Sequence, residues 1–185
     1  MKEEEKIAVF KEELALLEDK DLLKDVAEDL ILSLPEYFFT IPASASGKYR
    51  PNYALGEGGL VRHTKAAIKI ALDLLKMEQY EDLRLIRDEI ILALLLHDGW
   101  KRGKDDEGYT VQDHPKIAAE VIRLYNFHNY TPGLDKVASL IESHMGQWNA
   151  DGALPKPVTP SQQFVHLCDY LASRKFLEVN FEVKN

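Results

Sequence analysis

The sequence has one cysteine, Cys168, and no apolar run of the roughly 18 residues that a membrane-spanning helix requires. A single cysteine excludes an internal disulfide and fits a reducing compartment. The sequence also lacks internal repeats, low-complexity segments and the glycine fingerprint of a dinucleotide-binding unit. The charged first residues, Met1 to Lys6, include no apolar segment typical of a signal peptide. We therefore expect a soluble, cytoplasmic protein that has no membrane partner.

Negative charge is distributed unevenly along the chain. The net charge of −8 argues, at face value, against a nucleic-acid partner. Residues 1–30, however, hold 11 of the 31 acidic residues and only 5 of the 23 basic residues. The acidity therefore belongs mainly to the amino-terminal region, and a phosphate-bearing substrate that binds elsewhere is compatible with the sequence.

Apolar residues recur at helical spacing along most of the chain. The pattern predicts acidic amino-terminal helices within residues 1–39 and a long irregular connection over residues 40–59. Further helices are predicted over residues 60–77, 82–97, 115–127, 133–145 and 160–178. The tail, residues 176–183, alternates between apolar and polar residues at its end, which fits a short strand. We expect an all-α, single-domain helical bundle.

The dipeptide His97-Asp98 follows a segment, residues 90–96, that is apolar on every side and is therefore predicted to be buried. An ionised carboxylate at the end of a buried helix is costly unless it is paired or bound to a metal ion. A metal ion would stabilise both side chains. The alternative, a salt-bridged Asp98 beside a solvent-facing His97, fits these two residues equally well.

Three other side chains of metal-binding type fall on predicted inward faces. His63, His144 and Asp169 each stand three, four or seven residues from apolar residues of their own helix. One inward histidine alone is more often a hydrogen-bonded core residue than a ligand. Three such positions on three helices, together with His97-Asp98, favour a shared metal site. Mixed imidazole and carboxylate ligands are typical of Zn, Mn, Fe, Co or Ni.

The remaining histidine near these motifs, His114, lies between Asp113 and Pro115. Proline favours the first position of a helix, so His114 is predicted at a helix start. Spacing alone favours a capping residue that faces solvent over a ligand. We interpret His166 as a flanking, partly exposed residue and Cys168 as core packing.

The order of these residues resembles the HD superfamily of metal-dependent phosphohydrolases over residues 58–175. The sequence GGLVRHT at residues 58–64 is similar to the opening motif of the HD domains in YhaM-type 3′→5′ exoribonucleases. The sequence HDGWK at residues 97–101 fits the HD-x-x-K form of the HDIGK motif. The sequence SHMGQW at residues 143–148 resembles the SHHG-containing motif of the same exoribonucleases. The resemblance implies an HD domain core preceded by the acidic helices.

The resemblance also implies that six residues hold one or two divalent transition metal ions, with Mn, Fe, Co, Ni and Zn as candidates. These residues are His63, His97, Asp98, His114, His144 and Asp169. His63, His97, Asp98 and Asp169 would form the site shared by the superfamily. His114 and His144 would hold a second ion, with Asp98 as the bridge between the two ions. Lys101 would lie near the substrate phosphate and act in catalysis together with Asp98.

Four basic residues near these motifs are candidate contacts for a substrate phosphate. Lys48 and Arg50 lie in the long connection, and Arg62 and Arg102 lie beside the metal motifs. Each of them also has a simpler interpretation as solvated surface.

The sequence thus predicts a hydrolase that cleaves a phosphodiester or phosphomonoester of a nucleotide or short oligonucleotide. The YhaM-like motifs favour exonuclease-like cleavage, but those enzymes normally carry a nucleic-acid-binding OB domain, for which 185 residues leave no room. Two alternatives stay open: a small-nucleotide phosphatase, and a metal-containing module that binds a nucleotide without turnover. The sequence also leaves open the oligomeric state, a homo-oligomer included.

Overall fold

The computed structural model describes residues 1–18, 23–148 and 152–175, and this part of the chain is helical without a strand. Its α-helices are α1 (Glu3–Val9), α2 (Lys11–Leu14), α3 (Leu23–Leu32), α4 (Gly59–Leu74), α5 (Arg87–Leu96), α6 (His114–His128), α7 (Leu134–Ser143) and α8 (Pro160–Ala172). The all-α class is confirmed. The strand predicted within residues 176–183 lies outside the described residues. Among the described helices, none combines the length and the apolar character needed to cross a membrane.

Helix α5 is the central helix of the bundle. Its residues 90–96 are all buried, so this part of the helix has no solvent-facing side. It packs against α3, α4, α7 and α8. Each fully buried Leu or Ile of this run contributes roughly 1.5–3 kcal/mol of hydrophobic stabilisation. The carboxyl end of α5 is therefore held in the interior, and the next two residues along the chain are His97 and Asp98.

The amino-terminal helices cover one side of this core. Helix α1 packs on α3, and α3 packs on α5. An aromatic cluster of Phe10, Phe38 and Phe39, with ring centroids 5.3–6.5 Å apart, joins α1 to the segment after α3. The acidic residues at the start of α1 are exposed, so the negative charge of this region lies mainly on its outer face.

The helix predicted over residues 82–97 begins later than expected. Glu78–Ile86 forms 3₁₀ turns with a non-helical residue at Tyr80, and the α-helix starts at Arg87. No residue of Glu78–Ile86 is buried. Tyr80, Leu83 and Ile86 pack against the core but are only partly buried. Because most helical stability in proteins comes from burying an apolar face, this limited packing does not extend α5 toward its amino end.

The connection before α4 is folded against the start of that helix. The Gly58 and Leu60 amides donate hydrogen bonds to the carbonyls of Thr40 (2.8 Å) and Ile41 (3.0 Å). Gly59 allows a close approach, because a Cβ atom there would lie 2.4 Å from the Ala54 carbonyl oxygen. The same connection reaches α8, since the Tyr53 hydroxyl donates to the Ala172 carbonyl at 2.7 Å. These contacts fix the segment that carries Arg50.

We expect Gly59→Ala to lower the free energy of unfolding by about 1–3 kcal/mol, the usual cost of overpacking. The added methyl group would meet backbone atoms of Ala54 and Pro42, which no side-chain rotation can move aside. Urea denaturation measures this change. Lys69→Ala, at an exposed position of the same helix, is the control and should change stability by less than about 0.5 kcal/mol. A Gly59→Ala variant as stable as this control would contradict the close packing.

Candidate metal centre

The six predicted metal ligands converge at one point inside the bundle. They come from different elements: His63 from α4, His97-Asp98 from the end of α5, His114 from the start of α6, His144 from the end of α7 and Asp169 from α8. All four histidines are buried, with at most 1% of their surface exposed, and Asp98 is 2% exposed. Burial of this many polar side chains is costly unless each one has a partner.

Asp169 is brought to this point by a well-defined start of α8. Thr159 and Gln162 form a capping box, in which the Thr159 hydroxyl accepts from the Gln162 amide at 3.3 Å and Gln162 Oε1 accepts from the Thr159 amide at 3.1 Å. Pro160 occupies the first helical position. Asp169 lies ten residues after Thr159, on the face that α8 presents to α4.

One local arrangement orients three of the histidines. The Nδ1 atoms of His97, His114 and His144 lie 2.6–2.7 Å from a backbone carbonyl three residues earlier in the chain. A carbonyl only accepts, so Nδ1 carries the proton and donates it. In the neutral imidazole the other nitrogen, Nε2, then presents its lone pair. A carbonyl that fixes the tautomer in this way is typical of metal-binding histidines.

The Nε2 atoms of these three histidines are buried and have no hydrogen-bond partner within the described residues. They face carboxylate oxygens: His114 Nε2 lies 3.0 Å and His144 Nε2 lies 4.0 Å from Asp98 Oδ1. An Nε2 lone pair that faces a carboxylate is repelled by it unless a proton or a metal ion lies between the two atoms. The donor set therefore fits a divalent cation.

A second group of donors surrounds the other oxygen of Asp98. His63 Nε2 and His97 Nε2 lie 3.7 and 3.6 Å from Asp98 Oδ2. The same nitrogens lie 3.0 and 3.5 Å from Asp169 Oδ1. A tetrahedral ion with bonds of 2.0–2.1 Å separates its donors by about 3.3 Å. These four side chains match that spacing, and the two oxygens of Asp98 face two different groups of histidines.

Both carboxylates are held in the ionised form. Burial alone would raise the pKa of Asp98, but the Lys101 ammonium and the His97 imidazole outweigh it and keep that pKa well below its usual range. Burial likewise opposes ionisation of Asp169, whose pKa is nevertheless lowered by the hydrogen bond from His63 and by the electrostatic effect of the nearby His97 imidazole. The site therefore offers two anionic ligands at neutral pH.

The pKa values of the buried histidines shift in opposite directions. Burial lowers the pKa of His63, and burial together with the charge on His97 lowers the pKa of His144 to about 3. For His97, burial also acts to lower the pKa, but the Asp98 and Asp169 carboxylates outweigh it and raise the pKa. His63 and His144 are therefore neutral at pH 7, the form that binds a metal ion.

A small cavity of about 300 Å³ opens onto the centre. Its lining includes the predicted ligands Asp98, Asp169 and His114 and the basic residues Arg50, Lys101 and Arg174. Lys101 forms an ion pair with Asp98 Oδ2. Arg50 Nη1 lies 3.5 Å from His63 Nδ1. Three cations beside a buried cluster of metal-binding donors form a cavity suited to an anion that also contacts the metal.

Three of the four basic residues proposed as phosphate contacts lie away from this cavity. Arg62 donates to the carbonyls of Tyr53 (2.6 Å) and Leu55 (2.7 Å), so it holds the long connection in place. Lys48 is exposed and lies over its neighbour Tyr49. Arg102 pairs with Asp106 at 3.4 Å. Among these candidates, the structure brings only Arg50 to the cavity.

One expectation based on spacing is corrected, and one residue of the cavity was missed. His114 is buried, because its ring turns inward to contact the Val111 carbonyl and Asp98 instead of facing solvent. Arg174 was not among the candidates, yet it lines the cavity. The only sequence signal for it was its position four residues after Tyr170, whose ring lies 4.6 Å from the Arg174 guanidinium. His166 is partly buried as expected, and its Nδ1 donates to the His144 carbonyl at 2.6 Å.

The family model of the HD domain matches residues 54–174, and the chain belongs to this family. HD domains form a superfamily of metal-dependent enzymes that generally hydrolyse phosphate esters. No curated protein matches the chain. No solved structure matches it either. The matched residues include all six converging side chains described above.

Removal of Asp98 should affect bound metal more than removal of any histidine, because its two oxygens face both groups of imidazoles. We expect Asp98→Asn to lower metal affinity by more than roughly 100-fold, beyond the cost of losing an outer-sphere partner. His114→Ala should retain metal at the group around Asp98 Oδ2. Elemental analysis after dialysis measures both variants. Equal metal retention by Asp98→Asn and the unmodified protein would contradict the bridging position.

The metal-free protein should lose stability as the pH falls from about 6.5 to about 4. An unfolded histidine has a pKa near 6.5. In this range the unfolded chain binds more protons at His63 and His144 than the folded chain does, since the pKa values of both are lowered by folding. His97 does not contribute to this change of the free energy of unfolding with pH, because its raised pKa leaves it protonated in both the folded and the unfolded state.

Urea denaturation in EDTA at several pH values measures how the free energy of unfolding depends on pH. His144→Asn should reduce this dependence, whereas His128→Asn, at an exposed position of α6, should keep it. A free energy of unfolding that rises on acidification over this range would contradict the assignment of neutral, buried histidines.

Proposed function

We propose that this protein is a metal-dependent phosphohydrolase that cleaves a phosphodiester or phosphomonoester bond of a nucleotide or short oligonucleotide. The observation that supports this most strongly is the set of buried imidazole nitrogens that have no hydrogen-bond partner in the described part of the chain, gathered around two ionised carboxylates. The cationic cavity above them supports a phosphate as the group that binds there.

The residues that would hold metal are those of the converging set, and Mn, Fe, Co, Ni or Zn suits their mixture of nitrogen and oxygen donors. His63, His97 and Asp169 would share one ion with Asp98 Oδ2. His114 and His144 would hold a second with Asp98 Oδ1. Divalent ions at such a site supply Lewis acidity toward phosphate oxygens and make water acidic enough to act as a nucleophile near neutral pH.

Side chains of the protein would bind the phosphate and stabilise the charge that develops during the reaction. Arg50 and Arg174 both line the cavity and would bind the phosphate oxygens, with planar guanidinium groups suited to bidentate contacts. Lys101, which is 6% exposed, keeps a positive charge beside Asp98 in a region of low dielectric. There it would stabilise the negative charge that develops on the phosphoryl oxygens.

The nucleotide character of the substrate rests on the motifs shared with YhaM-type exoribonucleases, at residues 58–64, 97–101 and 143–148. A small-nucleotide phosphatase is the second candidate. Equal concentrations of a nucleoside monophosphate and a short oligonucleotide, assayed side by side, distinguish the two, since a phosphatase releases inorganic phosphate from the former. A binding module without turnover would keep metal and nucleotide affinity but yield no product from either.

We expect the purified protein, loaded with Mn, Co, Ni, Fe or Zn, to hydrolyse phosphate esters, and EDTA to abolish turnover. Lys101→Ala should lower kcat by roughly 10²–10³, the cost of losing one electrostatic contact to the transition state. Lys104→Ala is the matched control, because Lys104 is exposed and does not line the cavity. Steady-state kinetics measure both. Full activity of Lys101→Ala, or turnover that persists in EDTA, would contradict this mechanism.

A further inference from the structure

A second, larger cavity adjoins the metal centre. It is a groove of about 1040 Å³ between the 3₁₀ segment Glu78–Ile86 and α8. Trp148 and Tyr170 line both the groove and the smaller cavity above the metal ligands. A group bound at the metal centre can therefore extend into the groove by passing these two rings.

The junction is formed by stacked planar side chains. The Trp148 and Tyr170 rings are nearly parallel, with an interplanar angle of 12° and centroids 6.0 Å apart. The His166 ring lies 6.5 and 6.4 Å from them. The Arg174 guanidinium lies 4.6 Å from the Tyr170 centroid and 5.9 Å from that of Trp148. We call Trp148, His166 and Tyr170 the aromatic platform.

Trp148 is 56% exposed although it is one of the largest apolar side chains in the protein. An exposed tryptophan held by stacking at the mouth of a cavity offers a flat surface to a ligand. Flat heteroaromatic groups, nucleobases above all, bind to such surfaces by stacking on aromatic rings and on arginine.

Charge differs between the two cavities. The cavity above the metal ligands has Arg50, Lys101 and Arg174 in its lining, as a phosphate requires. Among the residues that line the groove, Lys136 and Asp82 carry opposite charges. The groove therefore suits the uncharged part of a ligand. Its lining also includes three glutamines, Gln79, Gln147 and Gln163, whose amides can donate and accept hydrogen bonds.

From these observations we propose that the aromatic platform binds the nucleobase of the substrate while its phosphate lies at the metal centre. This inference rests on the proposed function and makes it more specific, because it assigns the nucleoside part of the substrate to the groove. It also gives Trp148 and Tyr170 a role in substrate preference that is separate from hydrolysis itself.

The test compares two diesters that release the same nitrophenolate, thymidine 5′-(4-nitrophenyl) phosphate and methyl 4-nitrophenyl phosphate. The unmodified protein should prefer the nucleoside ester. Trp148→Ala should lower this preference, as a ratio of kcat/KM values, by about 10-fold, with the change mainly in KM for the nucleoside ester. Phe127→Ala, which removes an aromatic ring that is 82% exposed on α6, is the matched control and should keep the ratio.

A binding measurement is independent of turnover. The chain has two tryptophans, and the other one, Trp100, is 3% exposed. Thymidine monophosphate should therefore quench the fluorescence of Trp148, and methyl phosphate should not. Trp148→Phe, the conservative variant, should abolish the quenching but keep most of the substrate preference. Tyr170→Ala should weaken the apparent affinity by about 10-fold.

The results separate the two proposals. If Trp148→Ala lowers kcat/KM equally for both esters, or if the nucleotide does not quench the fluorescence, the platform is overturned while a phosphohydrolase stays in place. Quenching by the nucleotide without turnover of either diester or of thymidine monophosphate would support the platform and overturn the proposed hydrolase.

Discussion

The buried carboxylate of Asp98 is the constraint on which the rest of the site depends. One of its oxygens faces His63 and His97, and the other faces His114 and His144. The surroundings hold it ionised although burial opposes this. A charge in this position must be compensated, and the surrounding structure supplies the Lys101 ammonium together with a set of nitrogens suited to a metal ion.

The fold creates this situation by burying the end of its most apolar helix. Because α5 has no polar face, its carboxyl end cannot reach solvent, and the side chains that follow must find partners inside the bundle. The neighbouring elements supply these partners, and two of the ligands are positioned in the same way. His97 and His144 both follow the last residue of a helix, and each donates from Nδ1 to a carbonyl of the final turn. The same helix ends therefore position these two side chains and fix the orientation of their rings.

The all-α class and the inward positions of His63, His144 and Asp169 were predictable from the sequence, because helical periodicity reports which face of each helix is buried. His114 was not predictable in this way. It lies at a helix start, where periodicity carries no information, and only the resemblance to HD domains indicated a ligand. The domain limits and the roles of individual ligands remain predictions.

Contacts made by long side chains were least predictable. Arg62 and Arg174 are both arginines close in sequence to predicted ligands, yet Arg62 is bound to carbonyls of the long connection while Arg174 lines the cavity. What separates them is the fold of that connection onto α4 and α8, which depends on contacts such as that of Gly59 with Ala54. Such long-range contacts leave no periodic pattern in a sequence.

The metal centre is tested most directly by a crystal structure of the protein grown with Mn or Zn, with diffraction data collected at the absorption edge of that metal. We expect an anomalous peak about 2.0–2.2 Å from His63 Nε2, His97 Nε2 and one oxygen each of Asp98 and Asp169. A structure in which these side chains contact only one another and Lys101, with no anomalous peak between them, would contradict this expectation.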